Sequence, residues 1–192
     1  MRGKHQIQLS FGLLSDYGVD NEVSAGSTTN FVGGGGLFGS VAYSYWVEHN
    51  LAIGITVGVL GSEVNTSING REVSVETASV VPVLFGVKYQ LGEMATSASL
   101  RPYLFASAGP CIGSATRSRA GTNLGSEILT ETVLGAQLGL GAEVSLRRLF
   151  TLGANAGYFF ASDFDKRIGS QKNYSSPQFM LSFGVALGNG KK

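Results

Sequence analysis

Leu51-Ala52-Ile53-Gly54-Ile55-Thr56-Val57-Gly58-Val59 sets a large aliphatic residue at each odd position and a small or hydroxylic one at each even position. Side chains along a strand point alternately to its two faces, so this stretch is a β-strand with one bulky apolar face and one slender face. Upstream, past a turn at Val47-Glu48-His49-Asn50, Leu37, Val41, Tyr43 and Tyr45 alternate with Phe38, Ser40, Ala42 and Ser44. Before that, Ile7, Leu9, Phe11 and Leu13 alternate with Gln6, Gln8, Ser10 and Gly12. Downstream, Val75 to Gln90 reads as a long fourth strand, and Asn69-Gly70 ahead of it is a two-residue hairpin signal that predicts a protruding ribbon between strands three and four. A fifth run spans Arg101 to Ile112, with its facing open: either Leu104, Ala106, Ala108 and Ile112 or Tyr103, Phe105 and Cys111 form the apolar side. Ile128 to Val144, Phe150 to Phe160 and Phe179 to Leu187 complete the set, with a tight turn at Arg147-Arg148. Eight strands are expected.

The connections alternate in length. Those near 15–35, 61–73, 113–126 and 162–176 are long and polar, those after strands two and six are short, and 92–99 is middling. In an up-and-down meander this puts all the long loops at one end and the termini at the other. No boundary divides the chain, so residues 1–192 are expected to form a single domain.

Composition decides which way the faces turn. Only 14% of the 192 residues are Asp, Glu, Lys or Arg, and 28 are Gly, against roughly 25% charged residues and roughly 7% Gly in soluble domains. With 43% hydrophobic residues, 10% aromatic residues and a net charge of +1, disorder is excluded, and so is the basic footprint of a nucleic-acid binder. A soluble barrel would show Lys and Glu on its wetted positions, but here the slender faces carry Gly, Ala, Ser, Thr, Gln and Asn. Eight strands leave a lumen just wide enough for such side chains, so the bulky faces must look outward, which only lipid tolerates. Two aromatic girdles are expected, Tyr45, Tyr89 and Phe150 at the short-turn end and Tyr158, Phe160 and Phe179 toward the long-loop end. No run approaches the roughly 18–20 apolar residues of a spanning helix. The expected fold is therefore all-β, an eight-stranded antiparallel up-and-down transmembrane β-barrel.

With eight such segments, with Arg101-Pro102-Tyr103-Leu104-Phe105-Ala106-Ser107-Ala108-Gly109, and with the closing Phe179 to Leu187, the whole chain resembles the small outer-membrane β-barrel proteins of Gram-negative bacteria, the OmpA/OmpX/OmpW-like barrels. Family members usually end on an aromatic residue, whereas this chain continues through Gly188-Asn189-Gly190-Lys191-Lys192. The resemblance implies a bacterial outer-membrane location with periplasmic termini. It also implies export with a cleaved signal peptide, and Met1 to Gln6 shows no apolar signal core.

Catalytic patterns are weak. Gly34, Gly36 and Gly39 fit G-x-G-x-x-G without the strand and helix that a dinucleotide site needs, and no G-x-S-x-G elbow occurs. His5, His49 and the single Cys111 lack metal-ligand spacing, so no metal, cofactor or catalytic site is expected. Lipid-modifying enzymes of similar fold place a catalytic His near the outer rim, but His5 and His49 fall at the opposite end. Inside the lumen, Lys88, Glu143 and Arg101 are expected to gather near the periplasmic mouth as a charge cluster. In the loops, Arg117 and Arg119 in the third and Lys166, Arg167 and Lys172 in the fourth are candidates for contact with anionic lipopolysaccharide or a host surface. The expected protein is a monomeric, non-enzymatic outer-membrane barrel with a structural, adhesive or surface-ligand-contacting role through four long extracellular loops; its expected partners are outer-membrane lipids and lipopolysaccharide, with no nucleic acid. A narrow solute pore and a soluble lipocalin-like carrier are the alternatives.

Overall fold

Alternation of bulky and slender residues fixes strand facing, and antiparallel neighbours then fix the register. The computed structural model describes residues 2–14, 28–32, 37–68, 71–91, 100–119, 127–146, 149–168 and 171–188, with strand side chains outside 28–32, 62–77, 117–119 and 127. The strands are β1 (His5–Leu14), β2 (Thr28–Val32), β3 (Leu37–Trp46), β4 (Leu51–Ile68), β5 (Arg71–Gln90), β6 (Leu100–Arg119), β7 (Glu127–Leu146), β8 (Phe150–Ala161) and β9 (Ser176–Leu187). Every pairing is antiparallel, and β1 pairs with both β3 and β9, closing the ring. Both β2 and β3 lie along the same edge of β4, so nine segments make eight staves. β2 falls inside what the sequence reads as a long first loop.

Register sets the barrel's shape. Stepping between direct partners from Phe150 passes through Val185, Ile7, Tyr43, Ile55, Phe85, Ala108 and Ala136, and returns to β8 at Phe160. That displacement of ten residues, at about 3.3 Å each against eight spacings of about 4.8 Å, tilts the strands by about 40°. Phe150 and Phe160 are thus about 25 Å apart along the axis, the height of the apolar band on such barrels.

The facing agrees with the period-two reading. Ile53 (47% exposed), Val57 (42%), Leu138 (59%) and Leu140 (61%) look out, while Gln137 and Asn155 (6% each) look in. This rules out a soluble carrier, because a continuous apolar exterior of this extent has no stable contact with water. The open question at β6 resolves with Leu104 and Ile112 outward and Tyr103 and Cys111 buried inside. Large inward residues are accommodated by glycines on neighbouring strands: a Cβ at Gly139 would lie 2.5 Å from the Phe105 ring, one at Gly141 2.6 Å from that of Tyr103, and one at Gly58 2.6 Å from that of Phe38.

β4 to β7 run 18 to 20 residues, well beyond the apolar band. Of the stretches expected as loops near 61–73 and 113–126, residues 61–68, 71–73 and 113–119 are therefore strand, because a ladder needs backbone partners and not an apolar face. Asn69-Gly70, bracketed by β4 and β5, and the turn at Arg147-Arg148 lie outside the described residues. The ladder pauses at the prolines, from Pro82↔Cys111 to Phe85↔Ala108 on one side of β5 and from Val57↔Val83 to Leu60↔Val80 on the other. Pro82 and Pro110 have no N–H to donate there.

Candidate functional site

The lumen is built in three layers. The lowest, at the short-turn end, holds a buried ion pair: the Lys88 Nζ of β5 donates to Glu143 Oε2 of β7 at 2.6 Å. Glu143 is 2% exposed, and its other oxygen accepts from Gln90 Nε2 at 2.8 Å. The ammonium also sits 4.1 Å from the centroid of the Tyr103 ring and 6.0 Å from that of Trp46, whose side chain is fully buried. Two charges in a narrow tube pay a desolvation cost of several kcal/mol each, and the pairing, the amide donor and the π face offset it. Arg101 lies directly across the ladder from Glu143 and is half-buried, so its backbone is brought beside the pair. Below it, still inside the lumen, Gln6 Nε2 donates to Thr151 Oγ1 at 3.3 Å.

Above this floor is a chamber of about 90 Å³. Gln8, Ser10, Ser40, Thr56, Ser107 and Asn155 give its wall hydrogen-bonding groups, beside Lys88 of the floor and the apolar Phe105 and Met180. A cavity of that size and polarity suits several waters. Among the described residues no group of three or more metal-ligating side chains occurs.

The third layer is apolar. Leu14, Phe38, Leu60, Val80, Leu84, Cys111, Phe159 and Met180 pack across the lumen toward the long-loop end. Phe164 and Ile168, from the segment joining β8 to β9, descend into this cluster and are 1% and 0% exposed. An inward face of only tiny or hydrogen-bonding residues was expected, but the outer half of the tube is filled with large apolar groups. The sequence reading missed Phe164 and Ile168 because they stand singly in a polar loop. Their signal was spacing, two apolar residues bracketing Asp165-Lys166-Arg167.

That segment is tightly tied. Phe164 N donates to Lys172 O at 2.8 Å, Ile168 N to Gln171 O at 3.0 Å and Lys166 N to Glu131 Oε2 at 3.1 Å. Asn173 Nδ2 donates to Asp163 Oδ1 at 2.5 Å and to Ala161 O at 3.0 Å, and the Tyr174 hydroxyl donates to Ile168 O. Lys166, Arg167 and Lys172 are all exposed on its outside, as a loop position requires. Arg117 and Arg119 are not loop residues: they belong to β6, with Arg117 registered against Glu127 and Glu76, because the β6–β7 ladder continues past the membrane band. Their side chains lie outside the described set.

On the outer wall, Tyr45, Tyr89, Phe150, Tyr158, Phe160 and Phe179 all point outward, between 37% and 56% exposed. The outer group sits on β8 and β9, with Tyr158 and Phe160 in contact at 4.5 Å between centroids. At the other end, His5 Nδ1 lies 2.6 Å from the Tyr43 hydroxyl, with its ring 5.1 Å from that of Tyr45.

No family model and no curated protein sequence matches the chain. Solved structures do. Ail, the attachment invasion locus protein of Yersinia pestis, aligns with a TM-score of 0.57 at 16% identity over 97% of this chain and 100% of that one. Its complex with the heparin analogue sucrose octasulfate aligns at 0.61 and 15% over the same shares. OprG of Pseudomonas aeruginosa gives 0.55 at 14%, covering 98% of this chain and 97% of that one. A major outer membrane protein of Thermus thermophilus gives 0.54 at 14%, over 97% and 100%. At these identities the likeness establishes the fold, that of the small outer-membrane barrels.

Proposed function

We propose that the chain is an integral outer-membrane protein: one barrel domain, monomeric and without catalysis, with periplasmic termini. It meets surface ligands through the connections at its long-loop end. The single observation that carries the proposal is the facing, with large aliphatics turned outward over a height of about 25 Å and amides turned inward. Lipid stabilises that exterior, and the filled lumen leaves the outer connections as the accessible chemistry.

The partner class that fits those connections is anionic. Lys166, Arg167 and Lys172 stand exposed on a segment whose backbone is fixed by the bonds above, although Asp163 and Asp165 on the same segment offset part of the charge. Lipopolysaccharide phosphates or sulfated host saccharides match this chemistry, and Ail, of similar fold, forms a complex with the heparin analogue sucrose octasulfate. The test of location is separation of inner and outer membranes followed by electrophoresis. The protein should sediment with the outer membrane and show one mobility unheated and another after boiling in SDS. Soluble, detergent-independent protein would contradict the proposal.

A pore is the second reading, favoured by the polar chamber. The apolar layer above that chamber argues for silence in planar bilayers at moderate voltage, and steady unitary currents would instead establish conduction.

A further inference from the structure

The β8–β9 segment is fitted to the barrel mouth as a stopper, and the fit is built into the wall that receives it. Phe164 and Ile168 are buried while the residues between them, Asp165, Lys166 and Arg167, are exposed. Opposite them on β6 stands Gly113, where a Cβ would lie 2.7 Å from Phe164 Cε1 and 3.0 Å from Ile168 Cγ1. Glycine at this point leaves the notch that the two side chains occupy. Cys111, two residues along the same inward face, is fully buried in the same cluster.

Because this segment joins β8 to β9 and is held by loop hydrogen bonds, with Ser162 N to Leu134 O and Lys166 N to Glu131 Oε2 reaching β7, and by its apolar side chains, it can leave the mouth without breaking the barrel ladder. We infer that residues 162–168 and 171–175 form a displaceable strap: seated, its Phe164 and Ile168 close the outer apolar layer of the lumen over Cys111; released, it opens that layer to the outside. This stands on the geometry of the mouth and holds whichever ligand the loops contact.

The strap carries its own reporters. Lys166, Arg167 and Lys172 are trypsin sites inside it, and Cys111, the only cysteine, lies beneath it. The test compares the full chain, folded in dodecylmaltoside micelles, with Phe164→Ala/Ile168→Ala, which removes the anchors, and with Gly113→Val, which fills the notch without touching the strap. Heat-modifiable mobility confirms that each variant is folded, and Gly113→Ala serves if the valine variant does not fold. In the parent, trypsin should leave the bonds after Lys166 and Arg167 intact and N-ethylmaleimide should scarcely label Cys111. In both variants, fragments ending at Lys166 or Arg167 should appear and Cys111 labelling should quicken by at least about tenfold, as expected when the closed state loses its packing. Folded variants with the parent's resistance at Lys166 and Arg167 would overturn the inference. So would cleavage of the strap with no change at Cys111, since the strands themselves would then be the seal.

Discussion

Replacing Glu143 by Gln keeps the shape of the lumen floor and removes its negative charge, leaving the Lys88 ammonium 10% exposed with no carboxylate. Breaking one side of a buried ion pair costs about 3–5 kcal/mol. Here the Tyr103 face at 4.1 Å stays in place, and a desolvated cation–π contact of this kind is worth about 1–2 kcal/mol. The expected loss is therefore about 1–4 kcal/mol. Lys88→Met should cost a similar amount, softened because Gln90 still donates to Glu143 at 2.8 Å. The double variant Lys88→Met/Glu143→Gln removes both charges and leaves two amides to pair, so it should lose no more than about 1 kcal/mol and couple strongly. Trp46, the only tryptophan, reports directly, since it is buried in the same layer 6.0 Å from Lys88 Nζ. Urea unfolding in lipid vesicles, followed by its fluorescence at constant slope, gives the four stabilities. Additive losses, or single variants within about 0.5 kcal/mol of the parent, would refute the claim that the pair is desolvated and mutually dependent.

Two further outcomes follow from the walls. Leu140→Arg, on the outward face near mid-height, should destabilise the barrel in vesicles by about 2–4 kcal/mol, whereas Ile128→Arg, outward but beyond the apolar band, should cost at most about 1 kcal/mol; paired urea titrations compare them. Gly141→Ala should cost about 1–3 kcal/mol by the same titration, because the new Cβ would sit 2.6 Å from Tyr103 Cζ and 2.7 Å from Asn155 Cβ.

The membrane-spanning part of the fold is legible because one face of each strand meets lipid and must be bulky. Ile53, Val57, Leu138 and Leu140 announce this at once. β6 is illegible by that rule since both its faces are apolar, and the deciding fact lies on another strand. Tyr103 and Phe105 point inward because Gly141 and Gly139, their direct partners on β7, leave room for the rings. Pairing of aromatics with glycines across adjacent strands is a signal visible only once register is known. Beyond the band, β4 to β7 continue without an apolar face, so their length cannot be read from alternation, and Arg117 and Arg119 look like loop residues. Of the lumen charges, Lys88 and Glu143 follow from facing alone. The apolar outer layer does not, because its two deepest members arrive from a connection and not from a strand.

The most direct measurement of which side meets hydrocarbon is fluorescence quenching by lipids brominated along the acyl chain. Trp46 faces the lumen and should keep nearly all its emission in such vesicles, while a tryptophan at the outward position 140, placed as Leu140→Trp in a Trp46→Phe background, should be strongly quenched. Quenching of Trp46 together with protection at position 140 would contradict the facing on which the transmembrane barrel rests.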